Sequence, residues 1–236
     1  MKLAIIGSRK LDVQNIGDYI PEGVTEIGGG CFEGLRIKSI VIPGSINKIS
    51  SCAFGGCSKL HSVYINDVSK WCNIDFEDAE ANPLYNSPIL FLKGEPVIQL
   101  EIPEDVKVIK NFAFYGCKGM GLAEIPKSLV EIGKQAFFSC SGIKRISSYQ
   151  IRKIGAGAFA SCSGIDTVSL DSYVELGSHA FSECENIWFA PDDLKNTKGT
   201  YAFEHYWRAK GLCPACGGKC MNLLLVKKCK KCGQLV

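Results

Sequence analysis

Apolar and polar positions in this chain alternate in short bursts that return at a fixed interval. SIVIP, QLEIP, LAEIP and TVSL each alternate over about four residues, the pattern of a short strand with one buried face. A proline follows three of these runs; it fixes its own φ and donates nothing to a ladder, so it ends the strand. A second extended piece such as VTEI or VKVI comes next, and then a turn carrying Ala-Phe. Aligned on Pro, on Ile six residues later and on Phe eleven residues later, residues 21–32, 43–54, 103–114 and 126–137 fall into one register. Residues 148–159 and 170–181 share it without the proline. The phenylalanines are Phe32, Phe54, Phe114, Phe137, Phe159 and Phe181, spaced 22, 60, 23, 22 and 22 residues apart. A unit this short cannot bury its apolar face alone, whereas stacked units can, so the pattern predicts a solenoid of 22–23-residue coils.

Five cysteines, Cys57, Cys117, Cys140, Cys162 and Cys184, stand three residues after a repeat phenylalanine. That spacing puts Phe and Cys on one side of a short helical turn. A column of such thiols is a core feature, since cysteine packs as a small hydrophobe. Coils about 4.8 Å apart bring the thiols near disulfide range, so the redox compartment decides whether they bond. The first apolar run, Leu3 to Ile6, is shorter than a signal peptide's core of about 7–15 residues. We therefore read the chain as cytoplasmic and bacterial, with reduced thiols or metal ligands among its 13 cysteines. No apolar run reaches the roughly 20 residues that span a bilayer, and no membrane partner is expected.

The repeats resemble the BspA-like leucine-rich repeats, on the strength of the strings IP…I(G)…AF..C quoted above. The resemblance covers about residues 20–190 and implies a leucine-rich-repeat solenoid, mainly β with short helical turns, that offers a sheet face to partners. Some members are surface adhesins, a role not carried over to a chain without an export signal.

The 60-residue gap holds an irregular coil. VYI opens it, and Trp71, Ile74 and Phe76 stand in for the usual Ile and Phe contacts. Asn82-Pro83 and Ser87-Pro88 are turn signals, and ILFL-KGE-PVIQLEI reads as a hairpin around Gly94. The stretch is either a recognition loop or a tolerated insertion, and the insertion reading is preferred.

Residues 1–20 read as a strand, a Gly-Ser-Arg turn and a short helix, an arrangement able to cradle an anion. KLAIIGSR and IPEGVTEI resemble the start of SLOG-type, Rossmann-like nucleotide-binding proteins. The resemblance implies phosphate contacts at Gly7, Ser8 and Arg9, and hence nucleotide sensing. The α/β body of that family is missing, and a βα end cap for the first coil is the preferred reading.

Charge divides the chain. Residues 1–204 carry 20 Lys+Arg against 24 Asp+Glu, while residues 205–236 carry seven basic residues and no acid. Residues 191–211 read as a helical and aromatic cap, with Asp192, Asp193 or Thr200 as helix caps and Tyr201, Phe203, Tyr206 and Trp207 closing the last coil. Residues 212–236 contain two CxxC pairs, Cys213/Cys216 and Cys229/Cys232, with 12 residues between them. Two knuckles supply the four thiolates that Zn²⁺ takes in a closed tetrahedron, and Gly217 and Gly233 let each knuckle turn. The segment resembles small zinc ribbons, with LLLV as a strand; one structural Zn²⁺ is expected. Cys220 is a fifth thiol able to compete for a ligand place. The neighbouring lysines make nucleic-acid association an alternative, or they simply balance the charge of the site.

No P-loop, nucleophile elbow or HExxH string occurs in the sequence. Of the three histidines, His61 follows a coil turn, His179 occupies a variable repeat position, and His205 lies in the aromatic segment as a possible extra ligand. The sequence therefore predicts a non-enzymatic scaffold that binds protein partners through its repeats, oligomeric state unspecified.

Overall fold

The structure is a computed structural model. It describes residues 20–122, 124–170 and 174–184, together with the backbone strands Lys2–Leu3, Trp188–Phe189, Cys220–Leu223 and Val226–Cys229. Two parallel ladders run along the coils. The first consists of the second strand of each coil together with Lys2–Leu3. Lys2–Leu3, Glu26–Ile27, Lys48–Ile49 and Asp75–Phe76 form one sheet, and Val108–Ile109, Glu131–Ile132, Lys153–Ile154 and Glu175–Leu176 form another. The second ladder consists of the strand before the proline: Ser39–Val41, Ser62–Ile65 and Ile89–Leu92, then Gln99–Leu100 with Gly121–Leu122, then Arg145–Ser148, Thr167–Leu170 and Trp188–Phe189.

The inward member of each first-ladder strand stacks on its counterparts, so Ile27, Ile49, Ile109, Ile132 and Ile154 are all fully buried. The repeat phenylalanines form a ring column beside them. Phe114, Phe137, Phe159 and Phe181 lie 5.2 Å apart with interplanar angles of 12°, 3° and 7°, and Phe32 and Phe54 stack at 5.0 Å. Outward positions of the first ladder alternate in sign, Glu131–Lys153–Glu175 in one sheet and Glu26–Lys48–Asp75 in the other, so that like charges do not stack.

The segment from Phe to Cys is a tight turn, not the short helical turn its spacing suggested. The reason lies in two left-handed residues per coil. Two positions before each phenylalanine stand Gly30, Cys52, Phe112, Gln135, Gly157 and His179, and two after stand Gly34, Gly56, Gly116, Ser139, Ser161 and Glu183, all with φ between 52° and 81°. A left-handed residue on each side stops a helix from growing, and L side chains there cost about 1–2 kcal/mol each. Gly157→Ala is therefore expected to lower stability by roughly 1 kcal/mol in urea unfolding, and Gln135→Gly to cause no loss.

The thiol column has a hydrogen-bonding role that spacing alone did not reveal. Cys57 Sγ donates to Phe32 O at 3.0 Å, Cys140 to Phe114 O at 3.1 Å, Cys162 to Phe137 O at 2.9 Å and Cys184 to Phe159 O at 3.1 Å. Each thiol thus ties its coil to the preceding one, and none of the eight described cysteines is in a disulfide. Burial pushes the Cys57 and Cys184 thiols up to about 11 and Cys72 up to about 12, and raises Cys117, Cys140 and Cys162 as well. A folded-state pKa above the unfolded value of about 8.5 favours the fold fully at lower pH and loses that contribution as pH rises toward the folded values. The urea midpoint is therefore expected to fall between pH 8 and pH 11, and serine at Cys140 and Cys162 to flatten that fall.

The irregular coil is a seam between two stacks. The first ladder breaks between Asp75–Phe76 and Val108–Ile109. Elsewhere a repeat Phe N–H donates to the Ala carbonyl of the following coil, as Phe114 does to Ala136 and Phe137 to Ala158. At the seam, Ala113 O instead accepts from Trp71 Nε1 at 2.8 Å and Asn82 Nδ2 at 3.0 Å, and Asn82 Nδ2 also donates to Phe112 O. Trp71 lies on the helix Val68–Cys72, which is capped by the Asp67 side chain. As the sequence suggested, Phe76 takes the Ile position, in register with Ile49, and Trp71 and Ile74 are buried.

Candidate functional site

The hairpin expected around Gly94 is present and changes the character of the strand face. Lys93 and Gly94 both adopt positive φ, 52° and 92°, as a two-residue type I′ turn requires. Phe91 then faces Pro96 and Leu92 faces Glu95 in antiparallel register, and Val97 N–H donates to Leu90 O at 2.8 Å. That bond carries the register on, so Ile89 and Ile98 occupy facing positions. Next to the hairpin, Val41, Tyr64 and Phe91 are in register on three parallel strands.

Inward positions of these strands, Ile40, Val63 and Leu90, are buried. Because side chains alternate between faces, Val41, Tyr64, Phe91 and Pro96 form a row on the outward face. The Tyr64 and Phe91 rings stack at 4.7 Å, and Ile89 and Ile98 extend the row at 55% and 71% exposure. Further along the same ladder the outward residues are Arg145 paired with Thr167 and Ser147 paired with Ser169. The contiguous apolar row thus lies on the coils beside the hairpin; farther along the ladder Tyr149 is exposed with its hydroxyl 3.3 Å from Ser169 Oγ, and Trp188 is in register with Thr167. A contiguous apolar row on an exposed face is the mark of an interaction surface, unlike isolated surface apolar residues.

Sequence reasoning preferred a passive insertion for this stretch, and the structure gives it a surface of its own. The signal was present: the outward slot that holds serine in RISS and TVSL holds valine in SIV, tyrosine in SVYI and phenylalanine in ILFL.

Among the other flagged residues, His61 is exposed with its Nδ1 3.1 Å from Ser62 Oγ, and His179 is one of the left-handed residues. Neither meets a catalytic partner among the described residues. Gly7, Ser8 and Arg9, the ligand candidates Cys213, Cys216 and Cys232, and His205 lie outside the described residues. Cys229 ends the strand Val226–Cys229, which pairs antiparallel with Cys220–Leu223 and sets Cys220 opposite Cys229. Leu223 pairs with Val226, so the first and last residues of LLLV lie on two different strands rather than on one. Among the described residues no group of three or more His, Cys, Asp and Glu could hold a metal ion, and no helix is long and apolar enough to cross a membrane.

Parallel ladders of two- to four-residue strands, an inner Ile column and a stacked Phe column define a leucine-rich-repeat solenoid. The chain belongs to the BspA-type leucine-rich repeat family: the BspA type Leucine rich repeat region matches it in six copies, over residues 11–79 and 89–206. Among solved structures it is similar to a leucine-rich repeat protein from Eubacterium ventriosum, at 17% identity and a TM-score of 0.46, with 71% of this chain and 45% of that one covered. It is also similar to a leucine rich cell surface protein from Faecalibacterium prausnitzii, at 21% identity and a TM-score of 0.42, covering 80% of this chain and 54% of that one. The chain spans about half the length of these two structures. No curated protein matches the sequence.

Proposed function

We propose that the chain is a non-enzymatic scaffold that binds protein partners on the strand face around Tyr64 and Phe91. The observation that carries this reading is the outward apolar row from Val41 to Pro96, on a ladder whose outward face is polar at Arg145, Ser147, Thr167 and Ser169. Apolar and aromatic residues at the centre of a patch supply most of the binding energy in protein interfaces. Thiols used as hydrogen-bond donors suit a reducing compartment, and we place the scaffold in the cytoplasm. In a pull-down with the purified full chain as bait, Phe91→Glu is expected to remove the partners held by the parent chain, while circular dichroism shows the variant still folded. Retention of the same partners by a folded Phe91→Glu chain would end the reading.

The same proposal closes the C-terminal end with a ribbon that holds one structural Zn²⁺ through Cys213, Cys216, Cys229 and Cys232. The two CxxC pairs support it, as does the antiparallel strand pair lying between them; four thiolates leave no open position for water. Elemental analysis of the purified chain is expected to give about one zinc per chain, falling to none when Cys213 and Cys216 are both replaced by serine.

A further inference from the structure

The turn side of the coils carries a second feature that a strand-face scaffold does not use. Tyr85, from the irregular coil, stacks on Tyr115 at 5.7 Å, and Tyr115 stacks on Phe138 of the next coil at 4.7 Å. Beside this stack runs an open cleft of about 370 Å³, lined also by Asn86, Ser87 and Lys118. Its floor depends on Gly116, at φ 81°, where a Cβ would stand 2.7 Å from Leu84 O. Only glycine lets the two coils approach that closely, so the cleft is built into the backbone of the seam.

Three properties of the lining define what it would take. Both faces of the Tyr115 ring are covered by its neighbours, so the ring offers the cleft its rim and its hydroxyl. The rim of an aromatic ring is the positive part of its quadrupole. Burial pushes the Tyr115 phenol upward, and the neighbouring Tyr85 adds to that rise, so the hydroxyl stays protonated and able to donate. Lys118 supplies a full positive charge, and no lining residue is acidic. The cleft thus favours an anion. It contains no arginine, whose planar fork is the usual grip on phosphate, and one ammonium with a few hydroxyls suits a monoanion. Nucleobases bind by stacking on open ring faces, and the Tyr115 faces are taken. Asn86 and Ser87, each able to donate and accept, match the alternating N–H and C=O groups of an extended peptide.

We propose that this cleft binds an extended peptide segment bearing a carboxylate, with the acid against Lys118 and the Tyr115 hydroxyl and neighbouring prolines or aliphatic side chains along the ring rims. Aromatic-lined grooves are the usual seat of preformed extended peptides, whose ordering cost is low. The site lies on turns and not on a ladder, so it is separate from the Tyr64–Phe91 row.

Fluorescence anisotropy with a fluorescein-labelled peptide of alternating proline and glutamate tests it on the full chain. Binding is expected, with the proline–glutamine analogue about tenfold weaker because the charge pair is lost. Lys118→Glu, at an exposed position, is expected to weaken the glutamate peptide by at least about tenfold, Tyr115→Phe to weaken it severalfold while keeping the ring stack, and Phe91→Glu to leave it unchanged. Equal binding of the two peptides, no effect of Lys118→Glu, or no binding by the folded parent chain would overturn the proposal. So would binding of an oligothymidylate that depends on Lys118 in place of the peptide.

Discussion

Replacing Phe137 by alanine is expected to lower the free energy of unfolding by about 4 kcal/mol, within the range for large aromatic truncations in a core. Phe137 is fully buried and stacks on Phe114 and Phe159, each at 5.2 Å. Truncation removes both ring contacts at once, each worth about 0.5–1.5 kcal/mol beyond area burial. It also leaves a void between coils that cannot close, because their separation is fixed by backbone bonds on both sides, Phe114 N–H to Ala136 O and Phe137 N–H to Ala158 O. In a quasi-one-dimensional stack such a defect weakens two coil–coil interfaces. Phe138→Ala, one residue on and half-buried, is the control and is expected to cost about a third as much, on the usual scaling with burial. Urea unfolding followed by circular dichroism reads both.

Asn82→Ala is expected to cost about 3 kcal/mol and to split unfolding into two transitions. Asn82 is fully buried. Its Nδ2 serves Phe112 O and Ala113 O, and its Oδ1 accepts from Leu84 N–H at 2.9 Å. Alanine therefore strands a buried donor and weakens two acceptors, and each unsatisfied buried group costs about 1–3 kcal/mol. The damage falls at the seam where the first ladder is already broken, so the coils on either side lose the coupling that makes them unfold together. Trp71→Phe alone is expected to cost about 1 kcal/mol, since Ala113 O keeps its Asn82 donor. Together the two changes orphan that carbonyl, and the double variant should exceed the sum of the singles by about 1 kcal/mol.

The repeat was legible because it rests on local chemistry. Alternation marked both strands, proline marked their ends, and the six phenylalanines set the register that the ring column displays. The Cys column was recognised as core, but its thiol-to-carbonyl bonds were not, because they join residues 25 or 26 positions apart. The left-handed residues were hidden for another reason. Gln135, Ser139, Ser161 and Glu183 are not residue types that announce positive φ; stacking against neighbouring coils imposes the conformation. Trp71 and Asn82 were seen as a core substitute and a turn signal, while their shared carbonyl at Ala113 needed the three-dimensional path. The candidate face was half legible, since the hairpin was predicted and only the register brought Val41, Tyr64, Phe91 and Pro96 into one row. The scaffold reading thus depends on whether that row is covered by a partner.

Photo-crosslinking tests this most directly. A photoreactive amino acid placed at Ile98, in the apolar row, and separately at Ser147, on the polar part of the same ladder, is irradiated in cells that express the full chain. The scaffold reading predicts a discrete crosslinked protein from position 98 that disappears when Phe91→Glu is added, with none from position 147. Equal crosslinking from the two positions, or an adduct from position 98 that survives Phe91→Glu, would contradict it.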